Sequence, residues 1–132
     1  MTYQELESTD DLSVSVPSKI NNNFLQVSEL NTAAKTASFT AFADDATGSP
    51  KNLYFCNTTG GSITVTLPTA ASGAASRGRV VTFVKMHASN NLILDGDGSE
   101  TINGSTTVTM TAIYDYRTII SDGTNWVVIG NS

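Results

Sequence analysis

Two hydrophobic periodicities divide the chain. Early on, Ile20, Phe24, Val27, Leu30 and Ala34 step by four, three, three and four residues, the spacing of one face of an amphipathic helix of about four turns. Pro17 suits the first turn of such a helix, where a missing N–H costs little, and Ser15 or Ser18 can cap it. Ile20, Val27 and Ala34 also fall seven apart, which suits a short coiled-coil seam. From Phe39 onward the period becomes two. Strands are predicted at Phe39–Phe42, Leu53–Cys56, Ile63–Leu67, Val80–Val84, Leu92–Leu94, Val108–Ala112, Arg117–Ile120 and Trp126–Ile129, each short and rich in β-branched or aromatic residues.

Turn residues sit between these runs: Thr59-Gly60-Gly61-Ser62, Asp95-Gly96-Asp97-Gly98, Asn103-Gly104 and Ser121 to Asn125. Gly and Asn supply the positive φ that tight hairpins need, so mostly antiparallel connections are expected. The predicted fold is mainly β: an antiparallel, jelly-roll-like β-sandwich at residues 46–132, preceded at residues 1–45 by an extended N-terminal arm with one short helix. The longest loop candidate, Pro68 to Gly78, is small and nearly apolar, as for a segment crossing the domain surface or a gap between subunits. An isolated helix of ~15 residues is marginal in water. The arm's apolar stripe therefore predicts attachment to a sister subunit or a larger host.

Composition narrows the function. The chain has 132 residues, one domain's worth, and a formal net charge of −5, which offers no basic patch for nucleic acid. Charged residues are only 14%, and polarity rests on neutral hydroxyls and amides, a surface suited to strands and to contact with other proteins. Cys56 is alone, which excludes an intrachain disulfide. The acidic N-terminus lacks the order of a signal peptide, and no run approaches the ~18 apolar residues of a membrane span. The reading is a soluble chain made in the cytoplasm, with no membrane partner.

Candidate chemistry is sparse. His87 is the sole histidine, so any Ser-His-Asp or Cys-His arrangement must include it, and no G-x-S-x-G elbow occurs. Its bland reading is a strand end turning into a loop, as Cys56 in its apolar strand reads as a buried, inert thiol. Asp95, Asp97 and Glu100 near flexible glycines are oxygen ligands of the type calcium prefers, yet the EF-hand pattern fails at its sixth and twelfth positions. A plain acidic hairpin is the alternative. Tyr54, Tyr114, Tyr116 and Trp126 raise sugar stacking; Tyr114 and Tyr116 share a parity, which within one strand makes a stripe more typical of core or subunit interface. No catalytic residue, metal site or cofactor is assigned, and an enzyme is not expected.

Two stretches carry a resemblance. The run from Asp11 to Val27, with Ile20, Asn21, Asn23 and Phe24, is similar to the "iN-x-NF" segment near the N-terminus of many tailed-bacteriophage virion proteins. Leu67-Pro68, Gly78 to Lys85, Asn91 to Leu94, Glu100 to Gly104 and Ser121 to Gly130 resemble a β module at the ends of phage fibres. The resemblance implies a structural virion protein, usually a homotrimer, whose arm grips the particle while the β domain projects outward. It marks Ile20, Asn21, Asn23 and Phe24 as attachment or trimer-seam candidates, joined by Val27 and Leu30 from the apolar stripe. Because no long repetitive shaft follows, the expectation is a compact knob: a capsid decoration (cement) protein on the capsid surface of the virion, bound to the major capsid protein after assembly in the host cytoplasm. The alternative is a short tail- or head-fibre protein with a receptor- or glycan-binding β tip.

Overall fold

A computed structural model describes residues 32–43, 51–71 and 78–132. Among them are nine strands and no helix: β1 Thr32–Lys35, β2 Phe39–Thr40, β3 Leu53–Cys56, β4 Ile63–Thr66, β5 Val80–Lys85, β6 Leu92–Asp95, β7 Thr107–Met110, β8 Tyr116–Ser121 and β9 Trp126–Asn131. Every predicted strand is present within a few residues of its expected bounds, except that the first stops at Thr40 and turns. Phe42 then takes a left-handed φ of 68°.

The strands form a five-stranded sheet, β1-β3-β5-β8-β9, and a four-stranded sheet, β2-β4-β6-β7. The expected antiparallel arrangement is corrected here, because four of the seven pairings are parallel. The cause is the route of the chain. After β1, β3 and β5 it crosses to the other sheet, and after β2 and β4 it returns, so successive strands within a sheet run the same way. Turns such as Thr59 to Ser62, expected as hairpins, carry the chain between sheets instead. Only after β6 does it double back, giving the antiparallel pairs β6·β7, β5·β8 and β8·β9.

The winding is regular where it can be measured on both sheets: Leu53 pairs with Thr82 and Ile63 with Leu92, each a step of 29 residues. Stacked turns reinforce it. Thr58 donates its hydroxyl hydrogen to the Ser89 carbonyl at 2.6 Å, Asn90 donates back to the Thr58 carbonyl at 2.8 Å, and Met86 N–H reaches the Cys56 carbonyl at 2.8 Å. The boundary expected at residue 45 also shifts, since β1 and β2 each begin one of the sheets. Ala34, the last step of the predicted helical stripe, lies in β1 opposite Phe55; pairing with β3 overrides the local helical spacing. Residues 1–31 are outside the described residues.

Alternate residues of both sheets supply one buried cluster, with Tyr54, Phe83, Ile119 and Trp126 from one side and Ile63, Val65, Leu92, Leu94 and Met110 from the other. Phe39 lies 5.0 Å from Tyr54, and Tyr54 stacks on Phe83 at 5.2 Å, so one aromatic column joins the two sheets. Pairs of this kind contribute about 0.5–1.5 kcal/mol beyond their area. The Tyr54 hydroxyl accepts the Phe42 N–H at 2.9 Å, and the Arg79 guanidinium covers the Phe42 ring at 3.6 Å.

The turn after β6 depends on a missing side chain. A Cβ on Gly96 would sit 2.4 Å from the Glu100 carbonyl oxygen, whereas one on Gly60 would meet nothing within 4 Å. Gly96→Ala should therefore destabilise the fold by about 1–3 kcal/mol through forced backbone shifts, and Gly60→Ala should stay within about 0.5 kcal/mol. Urea denaturation midpoints of the two variants check this.

Candidate functional site: an uncharged sheet face

The outward side chains of the two sheets differ sharply. On the five-stranded sheet, Val80 lies opposite Ile120, and Ile120 opposite Val127. A second row runs Leu53, Thr82, Thr118, and a third Ala34, Phe55, Val84, Tyr116. None of these is charged. The two hydroxyls in the middle satisfy each other, Thr82 Oγ1 to Thr118 Oγ1 at 2.8 Å. Gly130 keeps the far edge low beside Thr118 and Tyr116, where a Cβ would come 3.4 Å from Thr118. Most of this face is half-buried by its own neighbours, but Val80 is 47% exposed, and Ile129, at the β-bulge of β9, is 56% exposed.

The opposite surface is a threonine array: Thr40, Thr66 and Thr107 flank Asp95 in one row, and Thr64 and Thr109 flank Ile93 in the next. Hydroxyls and a carboxylate there interact well with water. Antiparallel or parallel, a sheet that faces water alternates apolar and polar positions, whereas strands covered on both faces read as continuous apolar runs. Ile63-Thr-Val-Thr66 and Thr107-Val-Thr-Met110 are of the first kind. Leu53-Tyr-Phe-Cys56 and Val80-Val-Thr-Phe-Val84 are of the second. That contrast was available in the sequence and is the signal that marks the face.

The residues predicted for attachment, Ile20, Asn21, Asn23, Phe24, Val27 and Leu30, all lie outside the described residues. Of the chemical candidates, Cys56 is buried, and burial pushes its thiol from 9.0 up to about 12, with Lys35 opposing weakly. His87 is used locally: its Nδ1 accepts the Ser89 N–H at 3.1 Å, and its carbonyl accepts from the buried Lys85 ammonium. Lys85 occupies the position that Cys56 holds one circuit earlier and ties down the turn between β5 and β6.

The three acids disperse. Glu100 accepts from the Thr69 hydroxyl at 2.7 Å and the Ala70 N–H at 2.8 Å, clamping one loop onto another, while Asp95 belongs to the outer threonine row. Among the described residues no three metal-capable side chains gather. Tyr54 and Trp126 are core residues. Tyr114 and Tyr116 do not share a strand: Tyr116 opens β8 on the apolar face, and Tyr114 sits in the preceding turn at a φ of 69°, 63% exposed. Asp115 shapes that turn. Its carboxylate accepts from Ser132 at 2.9 Å and from the Ala112 N–H at 3.2 Å, and the Ser132 bond leads in holding its pKa below the ordinary value.

Compared with known protein families and with curated proteins, the chain matches none. Function is therefore argued from these surfaces.

The raised Cys56 pKa gives a testable sign. The unfolded thiol ionises near pH 9 while the folded one stays protonated until about 12, so stability should fall as pH rises across that window. Native protein at pH 8 should react slowly with a thiol reagent and rapidly once unfolded in denaturant, as followed by absorbance of the released chromophore.

Proposed function

We propose that this is a non-enzymatic structural protein of a tailed-phage virion, a homotrimeric capsid decoration protein that binds and stabilises the shell. The observation that carries the reading is the uncharged apolar outer face of the five-stranded sheet, which a solitary soluble domain has no reason to keep. The similarity of residues 11–27 to virion attachment segments supports the same reading. In this account the two sheets are the leaves of a sandwich, and attachment falls to the segment before β1, since β1 and β2 are occupied as sheet strands. Its mechanism is passive: binding only to assembled shell stabilises that shell by mass action.

The alternative, a short fibre protein with a receptor- or glycan-binding tip, has one observation in its favour. Tyr114 projects from a turn whose N–H is fixed to the Lys85 carbonyl at 2.7 Å, beside the exposed Met86 and Ile113. A rigid exposed aromatic of this kind suits recognition.

Mixing the full chain with expanded, undecorated shells and with host cells separates the two. A decoration protein should co-sediment with shells, raise their thermal disruption temperature and ignore cells. Adsorption to cells without shell binding would replace it with the fibre reading, and indifference to both would remove each.

A further inference from the structure

We infer that the outer face of the five-stranded sheet is where copies of this chain contact one another, leaving the threonine face of the other sheet to solvent. The inference deepens the assembly reading and rests on it. Three observations select a second copy as the occupant. First, the face holds no ionised group with which to choose a charged partner, and its central hydroxyls, Thr82 and Thr118, are already paired with each other; what remains asks for a flat, dry, apolar surface, and its own counterpart is one. Second, charge permits the contact. The formal charge of −5 falls entirely outside the described residues, which carry five Lys and Arg against five Asp and Glu. Copies of the β unit therefore meet without net repulsion. Third, the position of the face suits it. The apolar stripe that ends at Leu30 enters the chain just before β1, the edge strand of this same sheet, so apolar surface from the preceding segment joins the contact at its margin.

Size agrees with a contact that needs that margin. Five strands spaced about 4.8 Å apart, each four to six residues long at about 3.3 Å per residue, give a footprint of roughly 300–500 Å². A standard-sized interface takes about 800 Å² from each partner. The face thus supplies its centre, and the exposed Val80, Ile129 and the N-terminal stripe supply the rest.

The test is the solution mass of the full-length protein, without shells, by sedimentation equilibrium. Wild type should run as a multiple of 13.9 kDa. Val84→Asp, at the centre of the face, and Val80→Lys, at an already exposed position that the fold tolerates, should each weaken self-association roughly tenfold or more, because each desolvates an unpaired charge at the contact. Thr109→Lys on the opposite sheet should leave the mass unchanged. Circular dichroism and Trp126 fluorescence establish that each variant is folded; if Val84→Asp is not, Val80→Lys decides. A monomeric wild type, as when the N-terminal stripe folds over its own sheet, would overturn the inference. So would a folded Val80→Lys that keeps the full oligomeric mass, or a Thr109→Lys that dissociates equally. Shell binding is read separately, so an oligomer that fails to bind shells would defeat the decoration role and leave this contact standing.

Discussion

The constraint on which the rest of this molecule depends is that each circuit of the chain must place strands in two sheets at once. With a step of 29 residues from Leu53 to Thr82 and again from Ile63 to Leu92, inward positions align on both sides of the core together. A one-residue slip in either sheet would turn its apolar set outward. Tyr54 shows how tightly the two are tied: it stacks on Phe83 within its own sheet, packs near Phe39 of the other, and accepts the Phe42 N–H. Burying each such aromatic contributes about 1.5–3 kcal/mol, and this column spends it on joining the sheets as well as filling the core.

The doubling back after β6 solves the problem that this winding creates. Parallel stacking alone would leave long open edges at its last circuit. Instead β7 covers β6, and β8 and β9 cover β5. Polar bonds then stitch the connection between β6 and β7 to the β8–β9 turn: Asn125 accepts from Thr101 at 2.7 Å, Asn103 accepts from Val128 at 2.9 Å, and the Ser121 hydroxyl donates to the Ala70 carbonyl at 2.7 Å. Trp126 lies buried behind these bonds. The side chains expected to be chemical, Glu100 above all, are engaged in the same stitching.

What was legible in the sequence follows from which interactions are local. Alternation and turn chemistry act over a few residues, so eight strands were placed close to where they lie. Direction within a sheet is not local. Gly60-Gly61 serves a hairpin and a crossing between sheets equally well, and only the pairing of Leu53–Cys56 with Thr82–Lys85 decides between them. β1 escaped because Thr32-Ala-Ala-Lys35 has little strand preference of its own and continues a helical spacing; its conformation is imposed by β3. Tyr114 and Tyr116 were joined in one stripe by parity alone, and the turn fixed by Asp115 separates them. The six attachment residues were legible as an apolar pattern, and that pattern is all that bears on them.

The two outer faces argue for a direction of assembly. A threonine array keeps its hydroxyls hydrated at little cost, and its Asp95 would have to be desolvated against any apolar partner, a cost without compensation unless a cation met it. The face across the core presents the reverse case: water gains nothing from Leu53, Val84 or Ile120, and no charge there is lost on covering them. A molecule built this way has one side that resists burial and one that is stabilised by it. Any assembly of copies that obeys this asymmetry turns its apolar faces inward and leaves its threonine faces outside. The tip formed by Met86, Ile113 and Tyr114 belongs to neither face, being carried by turns at the strand ends, so closing the apolar faces against one another leaves that tip uncovered.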